Sequence, residues 1–457
     1  MNSDAVCSNC HRLENDNITG GWLGQSSASS MLNMDEGESN NSGLSEEQLP
    51  VGLVLKKALI IFRHGARTPL FTIPNIPQAN YEAESLMVDM AETSFGYDII
   101  NAQSNGPRPF SQAETCYSSV VLKGGCLSGQ LTLLGQQQTY NLGQVLKKDY
   151  VVHHKLIDQE YNKDQIFLKS TNINRTVKSL CCVIAGLFGV ESLQKKAPVQ
   201  IPVSDESNEV LIPNPTYCPN LQIYHLQAQK NADLASGTLH DRLIIEKCIG
   251  IDSINTKHRL RWIETRDDLV ARMAHNLEIP KELVPYMEMI DKNATMQLYH
   301  AVCGQTDKDN PVACMLSCGK AINMFLEHLK MDSDEGSYRL YLYSCHDSTL
   351  TALLGAFGIF DFKWPPFAAD LRIELYEDRE SKKFVKVSYL SKNVIARGCT
   401  EIYTPYAKFM KGISSLAVDT DSHAAACCCK EIEKLAHGNN AINEDTDDPE
   451  EHTKADG

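Results

Sequence analysis

The chain has 457 residues, of which 42 % are hydrophobic and 22 % charged, a composition that excludes a fibrous or wholly unfolded protein. No run of about 18 apolar residues occurs, so no membrane-spanning helix is expected. The net charge of −15 is concentrated at the ends: eight acids against Arg12 in residues 1–50, and seven against Lys454 in residues 437–457.

Residues 1–50 are rich in Ser, Asn and Gly and poor in aromatics, and read as a disordered acidic tail, as do residues 437–457. Neither a secretory nor a mitochondrial leader is visible, so the expected compartment is intracellular and reducing, cytoplasmic or mitochondrial. Cys7-Ser8-Asn9-Cys10-His11 has the haem-attachment spacing, but with no apolar pocket around it we read it as coincidence. The adjacent pairs and triplets among the 16 cysteines, including Cys427–Cys429, argue against a disulfide framework and for free thiols. We read that triplet as a small-residue helix face rather than a lipid attachment site.

Leu53–Phe62 is apolar apart from Lys56 and Lys57 and shows no polar alternation, the pattern of a strand buried on both faces. From Leu70 to Ser128 the chain is Pro-, Gly- and Ser-rich and reads as an irregular excursion. Thr132 caps a predicted helix, Leu133–Tyr150, followed by a short strand, Gln165–Lys169, and a helix, Asn172–Phe188. Residues 202–330 read as helical with no strong strand. Strand character returns at Tyr338–Ser344, before a helix at Thr349–Phe357 and an antiparallel pair, Leu371–Tyr376 with Lys383–Ser388. This order predicts an α/β protein: a three-layer α/β/α core with a mainly parallel sheet, from residues 53–200 and 331–425, plus a mainly helical cap from residues 202–330 and part of 70–128.

Chemistry concentrates at three predicted strand ends. Arg63-His64-Gly65-Ala66-Arg67-Thr68-Pro69 ends the first strand, Ser170 to Arg175 ends another, and Ser344-Cys345-His346-Asp347 ends a third. Ligands of open α/β sheets gather at the carboxyl ends of strands. Arginine offers a rigid fork for phosphate oxygens, and neighbouring cations favour a neutral, nucleophilic imidazole. A lone strand-end histidine is usually structural; the conjunction of these runs is what signals function. No basic patch interleaved with aromatics is present, so nucleic acid is not an expected partner. Three Asn-x-Thr sequons begin at Asn17, Asn174 and Asn293, and a glycan on Asn174 would abut Arg175.

The motif pair R-H-G-x-R-x-P and His-Asp resembles that of the histidine acid phosphatases, the large-cap branch of the histidine phosphatase superfamily. The resemblance spans about residues 53–425. Ser128–Thr132, Ser170–Arg175, Leu340–Tyr343 and Gly358–Ala368 are similar to members of that family acting on lysophosphatidic acid. The resemblance implies a phosphomonoesterase working through a phosphohistidine, with His64, in an exposed cleft, as nucleophile. Arg63, Arg67 and Arg175 would bind the phosphoryl oxygens, His346 would stabilise the transferring group, and Asp347 would be the acid. It implies no metal or other cofactor, a lysophospholipid or similar small phosphomonoester as partner, and a monomer. Alternative readings are a phosphatase of sugar or inositol phosphates, and a catalytically silent phosphate-binding scaffold.

Overall fold

The structure, a computed structural model, describes residues 52–195, 198–232, 237–251, 259–330 and 338–429. Both acidic tails, the Cys7–His11 run and Asn17 lie outside these residues. Within them, nine strands form one sheet: β1 (Val54–Arg63), β2 (Tyr97–Asn101), β3 (Ile166–Ser170), β4 (Val199–Val203), β5 (Leu340–Cys345), β6 (Asp370–Glu377), β7 (Lys383–Tyr389), β8 (Lys392–Val394) and β9 (Thr404–Pro405). Their order is β2-β4-β3-β5-β1-β6-β7-β8, with β9 on β7. The first five strands in that order run parallel. From β1 onward the pairing is antiparallel.

The unalternating apolar run of β1 is explained by burial on both faces. Leu59 and Ile61 join one apolar cluster with Phe325, Leu353 and Phe409 from helices on that side. Ala58, Ile60 and Phe62 join another with Leu142, Leu180 and Ile184 on the opposite side. Each fully buried aliphatic side chain of this kind contributes about 1.5–3 kcal/mol. The result is an α/β fold of a mostly parallel sheet between two helical layers.

Predicted and observed elements differ mainly where the local signal is short. Leu133–Leu146 is α-helical, capped by Thr132, and continues as a π-helical turn over Lys147–His153. β2 lies within the stretch read as irregular, a five-residue strand with no fully buried position. β4 also went unexpected, because Pro202 interrupts its Val-Gln-Ile-Pro-Val pattern. Between β4 and β5 the described residues form helices at Pro219–Asn231, Thr238–Cys248, Trp262–Ala274, Met287–Cys303 and Asn310–Lys330. The last two pack on the sheet through Val302, Ile322 and Phe325.

The cysteine reading needs a correction. Cys218 and Cys427 form a disulfide that ties the helix Thr420–Cys427 to the start of the helix Pro219–Asn231. Sequence adjacency could not exclude it, because only Cys427 of the triplet turns inward; Cys428 is exposed. The bridge also weakens the argument for a reducing compartment.

Candidate active site

β3, β5 and β1 are neighbouring parallel strands, so their carboxyl ends lie side by side. Arg63 closes β1 opposite Cys345, and Ser170 closes β3 opposite Ser344. The chain beyond these ends brings His64, His346 and Asp347 together, with Arg175 from the first turn of the helix Asn174–Phe188. The two imidazoles stand edge to face, 5.6 Å between centroids.

The loop after β1 is clamped. Gly65 crosses Gly135 so closely that a Cβ at Gly65 would fall 2.1 Å from the Gly135 carbonyl oxygen. The Gly65 amide donates to Ser179 Oγ at 3.2 Å, and the Ala66 amide to Gln138 Oε1 at 2.8 Å. His64 Nδ1 faces the Gly65 carbonyl oxygen at 2.9 Å. A carbonyl only accepts, so neutral His64 carries its proton on Nδ1 and keeps its lone pair on Nε2. The side chain is 1 % exposed, which corrects the expectation of an exposed cleft; the rings of His346 and Phe367 lie 5.6 and 6.1 Å from it between centroids.

The three arginines are held at their edges and left unsatisfied inside. Arg63 Nη1 donates to the Pro365 carbonyl at 2.7 Å, and Nη2 pairs with Asp347 Oδ2 at 2.6 Å. Arg67 Nη2 pairs with Asp267 Oδ1 at 2.7 Å. Arg175 lies over the Tyr117 ring, 4.8 Å from its centroid. Nε of Arg63, Nε of Arg67, and both Nε and Nη1 of Arg175 are buried without a hydrogen-bond partner. Orphaned N–H groups on buried cations are costly unless an anion completes them.

The sequence profile of the histidine phosphatase superfamily (branch 2) matches residues 54–242 and 265–390. The chain belongs to that family. It is 32 % identical to lysophosphatidic acid phosphatase type 6 of Homo sapiens over 402 residues, covering 86 % of this chain and 91 % of that one. The Mus musculus protein of the same name is 33 % identical, with 86 % and 94 % covered. Prostatic acid phosphatase of Homo sapiens is 25 % identical, over 73 % of this chain and 75 % of that one. Among solved structures, Hafnia alvei phytase is similar in fold, with TM-score 0.53 and 13 % identity over 83 % of this chain and 99 % of that one. As a histidine acid phosphatase, the protein is a phosphoric monoester hydrolase.

In this histidine phosphatase, burial and charge act together on the titrating groups. Burial, then Arg175, Arg63 and Arg67, holds the His64 imidazole well below its ordinary pKa. His346 is lowered for similar reasons, burial first and then Arg175, against a raising influence from Asp347. Burial pushes Arg63 down to about 10, partly offset by Asp347. For Asp347, burial alone would raise the pKa, but Arg63, Arg67 and His346 outweigh it and hold the carboxyl well below the usual carboxylate range. The site thus combines neutral imidazoles, three cations and an ionised carboxylate. A neutral imidazole nitrogen beside three guanidinium forks has the chemistry to attack an electrophile whose negative oxygens the forks can hold.

Other residues of the site gave no signal of their own in the sequence. Asp267, from the helix Trp262–Ala274, pairs with Arg67 and accepts the Leu70 amide at 2.6 Å. Phe367 packs on Arg63 and His64, and Tyr117 faces Arg175. They come from segments without motif spacing, and only the fold assembles them. Asn174 is engaged through both side-chain atoms, with Arg108 and Glu114, and Asn293 is buried. Among the described residues, the one group with metal-ligand geometry is Cys218, His423 and Cys427. Two of its members are joined in the disulfide, which leaves them no thiolate to offer.

Among the described residues, no helix is long and apolar enough to cross a membrane.

Proposed function

We propose that the protein is a metal-independent phosphomonoesterase acting on lysophosphatidic acid or a similar lipid phosphate, as a monomer, through a phosphohistidine on His64. The observation that carries the chemistry is the free lone pair of a buried, neutral His64 beside three guanidiniums with unfilled inward N–H groups. The observation that favours the lipid is the similarity to lysophosphatidic acid phosphatase type 6 over most of both chains.

In the first step His64 Nε2 attacks phosphorus, and the bond to the leaving oxygen breaks. Asp347 gives that oxygen its proton, and the imidazole, now bonded at both nitrogens, keeps its Nδ1 proton on the Gly65 carbonyl. In the second step water attacks phosphorus, Asp347 takes a proton from it, and the N–P bond breaks to release phosphate. Arg63, Arg67 and Arg175 hold the equatorial oxygens in both steps, and His346 supports them. Asp347 is ionised before substrate arrives, so its proton comes with the substrate. A phosphomonoester near its second pKa of about 6 is partly a monoanion. As Arg63 turns from Asp347 to the phosphate, the carboxyl loses its strongest stabilising charge and takes up that proton. The helix Trp262–Ala274, which carries Asp267 to Arg67, acts as part of a cap built from the part of 202–330 before Met287, since the helices Met287–Cys303 and Asn310–Lys330 pack on the sheet.

The test is a substrate panel at acid pH: lysophosphatidic acids of increasing acyl length, glycerol phosphate, inositol phosphates and p-nitrophenyl phosphate. A kcat/KM that rises with acyl length supports the lipid assignment. A preference for inositol phosphates overturns the substrate but keeps the chemistry, and inactivity on every ester overturns both.

A further inference from the structure

The carboxyl of Asp347 is fixed by more than Arg63. Its Oδ2, already 2.6 Å from Arg63 Nη2, also accepts the indole Nε1–H of Trp364 at 3.0 Å. Its Oδ1 accepts the Ser348 amide at 2.9 Å. The Trp364 ring is in turn covered by the Arg266 guanidinium, 4.2 Å from its centroid, and Arg266 Nε is anchored to Asp291 Oδ1 at 2.7 Å. The segment bearing Trp364 is itself strapped to the nucleophile loop: Pro365 accepts from Arg63, and the Ala368 amide donates to the His64 carbonyl at 3.1 Å.

We propose that Trp364, braced by Arg266, is the positioning residue that steers the proton of Asp347 toward the leaving oxygen. This rests on the reading of Asp347 as the acid. Of the two donors on Oδ2, Arg63 is the one an incoming phosphate also claims. Trp364 carries no charge for the phosphate to draw away, and its N–H can only donate. Oδ2 therefore keeps a donor when Arg63 leaves it, and the carboxyl holds its orientation toward the leaving oxygen through the reaction. A cation over the indole face polarises the ring and strengthens the N–H as a donor. The charged and titrating groups that interact with Asp347 are Arg63 and Arg67 from the β1 loop, Cys345 and His346 beside it, Arg175 from the helix Asn174–Phe188, and Arg266 from the helix Trp262–Ala274. Trp364, like the Ser348 amide on Oδ1, is a neutral donor whose hold does not weaken when phosphate binds, and it is the side chain that does so from outside the Asp347 helix.

The experiment compares Trp364→Phe, which keeps a ring under Arg266 and removes the N–H, with the unaltered enzyme. Glycerol phosphate and p-nitrophenyl phosphate are the two substrates. The alkyl ester needs the proton and the aryl ester does not. Trp364→Phe should lower kcat on glycerol phosphate about tenfold, the scale of one hydrogen bond to a charged group. It should leave the p-nitrophenol burst within about twofold. The basic limb of the alkyl pH profile should move up by about one unit, because the carboxylate has lost a donor. In an Asp347→Asn background the same change should add nothing, since two residues acting through one group are not additive. Arg266→Met, which keeps the stem and removes the charge, should give the same pattern more weakly, and it carries the test if Trp364→Phe lowers the melting temperature below the assay range. Equal losses on both substrates with an unmoved pH limb overturn the proposal. Asp347→Asn separates the two readings. If it spares aryl over alkyl esters while Trp364→Phe does not, only the role of Trp364 falls; if it hits both esters alike, the acid reading falls and takes this one with it.

Discussion

Arg63 Nη2 and Asp347 Oδ2 stand 2.6 Å apart, so a phosphate on Arg63 competes with Asp347 for the charge of one guanidinium. Each holds the other in the form it would otherwise leave: burial lowers the Arg63 pKa and Asp347 partly restores it, while Arg63 leads the cations that keep Asp347 ionised. Anion binding should therefore be coupled to proton uptake by Asp347. Sulfate tests this, because it remains a dianion across the working range. Its inhibition constant should fall as pH falls from 7 to 5, by up to about tenfold per unit where one proton is taken up. Asp347→Asn should bind sulfate more tightly at pH 7 and show a flatter profile. An equally steep profile in that variant would assign the proton to another group.

How much of this was legible in the sequence follows from the range of each interaction. β1 was legible because burial on both faces leaves the apolar run Ala58–Phe62 without polar alternation. Arg63, His64, Arg67, His346 and Asp347 were legible because each motif directly follows a strand, where parallel neighbours bring ligand groups together. Arg175 was legible more weakly, from a strand-to-helix junction. Asp267, Trp364, Phe367 and Tyr117 were not, since their contacts join segments whose relation exists only in the folded chain. The Trp364 stretch was marked by family resemblance alone. Nothing in Trp-Pro-Pro-Phe predicts that its indole meets a carboxyl 17 residues upstream. The Cys218–Cys427 bridge spans 209 residues and was hidden for the same reason.

His64→Ala should abolish turnover while the protein still folds. The cost in stability is about 1–3 kcal/mol, from a buried polar ring and its bond to the Gly65 carbonyl. Steady-state rates and thermal melts check the two halves separately. Activity within tenfold of the unaltered enzyme would remove His64 as nucleophile, as would labelled phosphate that stays on the protein after an alkaline quench of the variant.

Chelators should leave the rate unchanged. On the proposed reading, the three guanidiniums give the charge neutralisation that a metal would otherwise supply. The group with metal-ligand geometry sits in a different apolar cluster, with Leu221, Tyr224 and Leu316. Activity lost in EDTA and restored by a divalent ion would show a metal-dependent step.

Reduction of Cys218–Cys427 should destabilise the protein without slowing it. The bridge closes a loop of about 209 residues, and losing such a constraint costs on the order of 2–5 kcal/mol. It lies in the cluster of Leu221 and Leu316, apart from the six site residues. Cys218→Ser should thus lower the melting temperature and leave kcat at 25 °C within about twofold. A large loss of kcat in a folded variant would tie the helix Thr420–Cys427 to the active site.

The depressed histidines make a prediction about stability whose sign can be worked out. His64 and His346 are both held well below the ordinary value of 6.5, by burial first and by the arginines next. Below pH 6.5 the unfolded chain protonates them and the folded one does not, so unfolding takes up protons. Their contribution is fully present above pH 6.5 and is lost as pH falls toward the folded values, by up to about 1.4 kcal/mol per unit for each group. Asp347, also depressed, acts in the same direction but only in the carboxylate range, near its ordinary 3.8 and below. Between pH 6 and 5 the histidines therefore dominate. Two half-buried histidines, His225 and His328, are lowered to about 4, by burial first, and add to the same slope, so the measurement must be a difference. His346→Gln removes one titrating ring and keeps an amide that can reach Thr171, whose Oγ1 lies 2.9 Å from the His346 Nε2. Denaturant unfolding of both proteins at pH 7, 6 and 5 should give stabilities that fall less steeply in the variant, by close to one proton's worth per unit. Parallel curves would mean that His346 titrates normally in the folded protein, and that the arginines do not reach it.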